Sequence, residues 1–145
     1  MGFIQVSLED VIPLRHDVLR PGKPRSTCYF EGDEAPTTRH FAWEEDGQIV
    51  SVATVMRSEN VMDGEVIPYQ LRGMATSPRL AGKGIGSLFL QQLHREVDAS
   101  WWCNARAVAI RFYERNGLVR VGDPFEISDI GIHYVMVYKK TAGSE

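Results

Sequence analysis

Apolar residues recur along the chain with two periods, and the switches between them mark its elements. Phe3 to Val6 reads as a short first strand. Leu8, Val11, Ile12, Val18 and Leu19 follow at roughly helical spacing, with Pro13 either kinking that helix or opening it. Arg20-Pro21-Gly22-Lys23-Pro24 stops it, and the turn-rich stretch to Thr38 is expected to face substrate as a lid. Arg39 to Glu44 and Gln48 to Met56 read as strands joined by Glu45-Asp46-Gly47, whose Asp-Gly pair signals a hairpin. Val66 to Thr76 is the next strand, and Ser77-Pro78 ends it because proline removes a ladder donor.

Beyond a glycine-rich loop, Ile85, Leu88, Phe89, Leu93 and Val97 predict an amphipathic helix with one buried face. Ser100 to Cys103 reads as a short apolar strand. Asn104 then reads as the cap of a second helix, Ala105 to Asn116, with Val108, Ala109, Phe112 and Tyr113 as its buried stripe and Gly117 after its end. Strands near Leu118 to Val121 and Ile132 to Lys139 close the chain, the last apolar on both faces. No repeat, linker or low-complexity tract interrupts this pattern, so residues 1–145 are expected to form a single α/β domain with a mixed sheet.

Composition narrows the function classes. The net charge of −3 offers no global field for nucleic acid or anionic lipid. No segment approaches the roughly 18 apolar residues of a membrane span. Gln5, Ser7, Glu9 and Asp10 do not read as a signal peptide, and Val6 occupies the hydroxyl position of a myristoylation signal. A cytoplasmic location is therefore expected. Cys28 and Cys103 make no disulfide framework and read as small packed hydrophobes. His16, His40, His94 and His133 are scattered without ligand spacing, so no metal is expected.

The most informative stretch runs from Leu71-Arg72-Gly73-Met74-Ala75-Thr76 through Ser77-Pro78-Arg79-Leu80 to Ala81-Gly82-Lys83-Gly84-Ile85-Gly86-Ser87. A strand, a glycine loop and a helix start allow backbone N–H groups to approach an anion, and the helix end adds roughly half a positive charge. Lys83 and Arg79 supply local positive charge. A Walker loop would need Ser or Thr after Gly82-Lys83, where Gly84 stands. A dinucleotide fingerprint would need two residues between its last two glycines, but Gly84 and Gly86 are one apart. A turn that merely lets strand meet helix is the competing reading.

Leu71-Arg72-Gly73-Met74-Ala75, Pro78, Gly82-Lys83-Gly84-Ile85-Gly86 and the helix beyond resemble the GNAT superfamily of acetyl-CoA-dependent N-acetyltransferases. Asn104-Ala105-Arg106, Ala109, Phe112-Tyr113-Glu114 and Gly117-Leu118 resemble its second signature, in the same order and at the same separation. The resemblance implies a mixed, mostly antiparallel sheet flanked by helices, with a splayed central strand pair. It implies acetyl-CoA as co-substrate, with its pyrophosphate on Ala81, Gly82, Lys83, Gly84, Ile85, Gly86 and Ser87. Main-chain groups of Met74, Ala75 and Thr76 would meet the thioester, and Gly73 would start the splay, unless it is only a close-packing glycine. Tyr113 would protonate the departing thiolate, or else it is a core aromatic. Asn104 would contact the coenzyme arm, cap the helix, or do both. The family usually carries Arg or Gln where this chain has Ala81, which leaves Arg79 or Lys83 to supply part of that charge.

The implied reaction is direct transfer of acetyl to an amine, which must be neutral to attack although its free pKa is about 10. Glu65, Asp33, His40 and His133 are all chemically able to take its proton, and the sequence assigns none of them. Arg15, His16, Arg20, Lys23 and Arg25 form either a seat for an acidic acceptor or a solvated face. The acceptor would be a small-molecule or peptide amine, with neither nucleic acid nor membrane as partner, and the family admits a homodimer. A non-catalytic acyl-CoA-binding module and a plain interaction domain are the alternatives.

Overall fold

Two Asp-Gly turns, Asp46-Gly47 and Asp63-Gly64, place positive φ angles at both central residues and so fold the middle of the chain into a meander. A computed structural model describes residues 2–80, 82–128 and 130–140. Its strands are β1 (Gly2–Val6), β2 (Arg39–Glu45), β3 (Gln48–Met62), β4 (Glu65–Thr76), β5 (Trp101–Arg106), β6 (Val119–Ile127) and β7 (Gly131–Tyr138). They form one seven-stranded sheet in the order β1-β2-β3-β4-β5-β7-β6. All neighbours are antiparallel except β4 and β5, which pair in parallel. The mixed, mostly antiparallel sheet agrees with expectation. The strand expected to end at Met56 instead runs to Met62, because the second Asp-Gly turn extends the hairpin.

Among the described residues, three α-helices cover the sheet: α1 (Leu8–Leu14), α2 (Ile85–Val97) and α3 (Ile110–Arg115). Pro13 lies inside α1, and the helix continues as a wider π turn over Arg15–Leu19. Val11 and Ile12 pack with Cys28, Ala42, Val52 and Ala75 on one face of the sheet. On the other face, Phe89, Leu90 and Leu93 of α2 pack with Phe41, Leu71, Trp101 and Met136. Met136 and Val137 are both buried, in separate clusters, so β7 is covered on both faces as its sequence indicates.

Two expectations need correction. Leu88 is 53% exposed, because the buried arc of α2 is centred on Phe89, Leu90, Leu93 and His94 instead. The second helix is also much shorter than Ala105 to Asn116. β5 pairs with β7 as far as Arg106 opposite His133, so Asn104 is an exposed strand residue opposite Val135 and caps nothing. A 3-10 turn over Ala107–Ala109 precedes α3, and Val108 is 92% exposed rather than part of a stripe. The ladder with β7 outcompetes a local cap. Gly117 does end the helix: its N–H bonds Glu114 O and that of Leu118 bonds Tyr113 O, a Schellman closure.

His94 is the polar member of this core. Its ring stacks on Tyr138 at 3.6 Å between centroids, its Nδ1 accepts from Trp101 Nε1 (3.1 Å), and its Nε2 donates to Asn116 O (2.9 Å). Burial holds its pKa below the usual imidazole value of 6.5, partly offset by the bond to Asn116. The unfolded chain therefore binds a proton that the native state refuses, so stability rises with pH. The melting temperature is expected to fall as pH drops below about 6.5, and His94→Gln should flatten that slope. An equal slope in both proteins, measured by thermal melts across pH 5 to 8, would contradict this reading.

Candidate active site

β4 and β5 touch only at Tyr69 opposite Trp101 and Gln70 opposite Trp102, then part. The β4–β5 pairing has already stopped after Gln70 when, at Gly73, β4 bulges against β3: Thr54 pairs with Arg72 but Val52 pairs with Ala75, which leaves one extra residue in β4. Gly73 has φ +65, and a Cβ there would stand 2.7 Å from Arg15 Nε and 3.2 Å from Phe30. It is thus both the bulge and a close approach. Ser77 donates its N–H to Val50 O on β3 (2.8 Å). By strand alternation, Met74 and Thr76 then aim their N–H groups into the gap.

Arg15 fixes this bend from behind. Its guanidinium is fully buried, donates to both Asp33 carboxylate oxygens (2.7 and 3.0 Å), and reaches Cys28 O (2.8 Å) and Thr54 Oγ1 (2.7 Å). Its Nε, the one buried side-chain polar atom without a partner among the described residues, faces Gly73. Thr54 also bonds His40 Nδ1 (2.7 Å), whose Nε2 donates to Asp33 O (3.0 Å). Asp33 and His40 are thus engaged in this network and line neither of the clefts described next. Glu65 pairs with Lys139 at the surface (3.2 Å) and lines neither of the clefts described next.

Two clefts flank the bulge. One, of about 500 Å³, is lined by Met74, Ala75, Thr76, Gly82, Gly84, Ile85, Gly86, Ser87 and Tyr113, nine of the residues expected to meet a coenzyme. Lys83 is exposed and does not line it, its N–H being bonded to Leu80 O, and Arg79 instead bonds Gln48 Oε1 (2.7 Å). Ala81 lies outside the described residues. The cation of this cleft is Arg115, which no local motif singles out. The start of α2 has no side-chain cap, and its N-cap Gly84 is left-handed at φ +78. A Cβ at Gly82 or Gly84 would meet nothing within 4 Å. A diphosphate fits there: first-turn amides lack partners within the helix, the surface is open, and the positive helix end faces it. Asn116 bonds both Ser87 Oγ (3.1 Å) and Phe112 O (2.8 Å), fixing α3 against the start of α2.

The second cleft, of about 440 Å³, is lined by residues that include Arg20, Phe30, Arg72, Asn104, Arg106 and His133. Asn104 thus opens onto this cleft and not the first. His133 Nδ1 lies 2.8 Å from Gly131 O, so that nitrogen carries the hydrogen and Nε2 is the acceptor of the neutral ring. Arg20 and Phe30 come from the stretch expected to be a lid, which is pinned by the Arg15–Asp33 pair.

Val18, Met74, Ala109 and Tyr113 line both clefts. Tyr113 is 7% exposed, and burial pushes its phenol well above the usual value of 10, with buried Cys103 adding to the effect. Its side chain lines both clefts, and its hydroxyl is not among the buried polar atoms left without a partner. Burial also pushes the Cys103 thiol upward, which leaves it a poor nucleophile.

Two clefts that share lining residues beside a parting strand pair have the architecture of an enzyme that holds two substrates. The family model described as an acetyltransferase (GNAT) domain matches residues 36–119. The chain is 32% identical over 135 residues to an uncharacterised N-acetyltransferase, YitI, of Bacillus subtilis, covering 90% of this chain and 91% of that one. Its fold matches Escherichia coli ElaA with a TM-score of 0.74 at 18% identity, covering 94% and 98% of the two chains. It also matches an aminoglycoside 6'-N-acetyltransferase solved with coenzyme A, at 0.75 and 12% identity over the whole of both chains. The chain belongs to the GNAT family and is an acetyl-CoA-dependent acyltransferase.

Gly84→Glu would set a carboxylate beside the open helix start. Acetyl-CoA affinity is expected to drop by about tenfold or more, measured by calorimetry, and an unchanged affinity would move the diphosphate elsewhere.

Proposed function

We propose that the protein transfers acetyl from acetyl-CoA to an amine nitrogen by direct attack, with both substrates bound together. The observation that carries this is the meeting of the two clefts at Met74 and Tyr113. The amides at the start of α2, with Arg115, hold the diphosphate, and the gap between β4 and β5 takes the coenzyme arm. The amine enters from the second cleft. Main-chain N–H groups of Met74 and Thr76 donate to the thioester oxygen as negative charge grows on it.

The amine lone pair forms the new N–C bond as the C–S bond breaks, and that bond's electron pair leaves with sulfur. Tyr113 gives its phenolic proton to the sulfur and regains one from solvent. The proton shed by the amine passes to His133 Nε2, directly or through water. The raised pKa of Tyr113 keeps the acid neutral, so activity should not decline between pH 8 and 10 through loss of its proton. The buried Cys103 thiol argues against an acyl-cysteine intermediate and for a single transfer. The aminoglycoside acceptor of the structural neighbour is that protein's own; the acceptor class here must be read from the cleft.

Tyr113→Phe is expected to retain acetyl-CoA affinity and to slow single-turnover acetylation about a hundredfold. An equally fast step would remove Tyr113 from the reaction. Coenzyme binding without thiol release, across a broad amine panel, would instead make the protein a binding module.

A further inference from the structure

We propose that the acceptor is a small anionic amine, one bearing a carboxylate or phosphate that Arg20, Arg72 and Arg106 hold in the second cleft. This rests on the transferase reading above. The described residues lining that cleft include these three arginines and no carboxylate. The chain as a whole carries a net charge of −3, so the concentration of positive charge here is a local arrangement.

The cations are also held together. Arg72 lies over the Phe30 ring at 4.6 Å and Arg20 stands 5.9 Å from the same centroid. Arg20 Nη1 and Arg106 Nη2 both donate to Leu19 O, at 3.4 and 3.3 Å, which brings those guanidiniums side by side. The one buried acid nearby, Asp33, is engaged by Arg15 through both oxygens. Among the described residues, none of the three arginines makes an ion pair.

Such crowding has an electrostatic cost. Burial, and then repulsion from Arg20, hold Arg106 below the usual guanidinium range. Burial likewise lowers Arg72; Asp33 and Glu31 partly offset this, and Arg15 and Arg20 add to it. A bound anion would relieve that repulsion, and guanidinium forks match carboxylate and phosphate oxygens. The same field repels polycations. A cleft of about 440 Å³ suits a small molecule.

The test is an amine panel with matched pairs: amino carboxylates against their amides, an amino phosphate against its alcohol, and polyamines. Acetyl-CoA binding is measured first by calorimetry. Anionic members are expected to show kcat/KM about tenfold or more above their neutral partners, and the preferred anion identifies the group. Arg106→Gln and Arg72→Gln should raise KM for the anionic amine about tenfold relative to that of its neutral partner, with acetyl-CoA affinity unchanged. Should either variant fail to fold, added salt on the intact enzyme at saturating acetyl-CoA should raise KM for the anionic amine more than for its neutral partner. Equal turnover within each pair, a preference for polyamines, or no turnover of any anionic amine by acetyl-CoA-bound protein overturns the proposal while leaving coenzyme use intact. Failure to bind acetyl-CoA overturns the transferase reading and this inference with it.

Discussion

The Arg15 guanidinium ties the turn after α1 to the 28–33 segment, to Thr54 on β3, and by packing to Gly73 on β4. Four elements that carry the site thus converge on one buried cation, whose charge is balanced by Asp33 alone. A Cβ at Gly73 would stand 2.7 Å from Arg15 Nε, so the β4 bulge, three residues past the last β4–β5 pair, can pack on the guanidinium only as glycine. A buried pair of this kind is weak as a source of stability, because desolvation offsets most of its attraction. Its consequence is geometric. It holds the β4 bulge beside the stretch where β4 and β5 no longer pair, and the two clefts flank that stretch.

The charge pattern follows that geometry. One cleft offers an uncapped helix start with Arg115, and the other offers three arginines. Between them lie Met74, Ala109 and the neutral Tyr113, with the Cys103 thiol buried alongside. Positive charge thus lies toward both outer ends, and the shared middle is uncharged. Asn116 contributes by locking α3 to α2, so that Phe112 closes on Gly86, where a Cβ would stand 3.2 Å from the ring.

Much of the fold was legible because the responsible signals are local. Asp46-Gly47 sets its hairpin, Gly117 ends α3, and the period of Phe89, Leu93 and Val97 specifies α2. Asp63-Gly64 carried the same turn signature and lengthened β3 in a readable way. What misled was competition between local and distant partners. Asn104 is a good cap by composition, yet β7 offered it a ladder, and a ladder extends over several residues while a cap satisfies one or two amides. Leu88 matched a helical stripe, but the sheet selects which arc of a helix it buries, and it selected the arc of Leu90 and His94.

By itself the sequence determined the element order, the glycine loop opening α2, the bulge-prone Gly73 and the tyrosine on α3, since each depends on backbone preferences of a few adjacent residues. Tertiary structure alone decided which charges face which cleft. Lys83 stands in the loop and lines neither cleft, whereas Arg115 lines the glycine-loop cleft and Arg20, Arg72 and Arg106 gather in the other. Those three arise from a turn and two strands far apart in the chain. Only the packing that buries Arg15 and parts β4 from β5 brings their long side chains to one place.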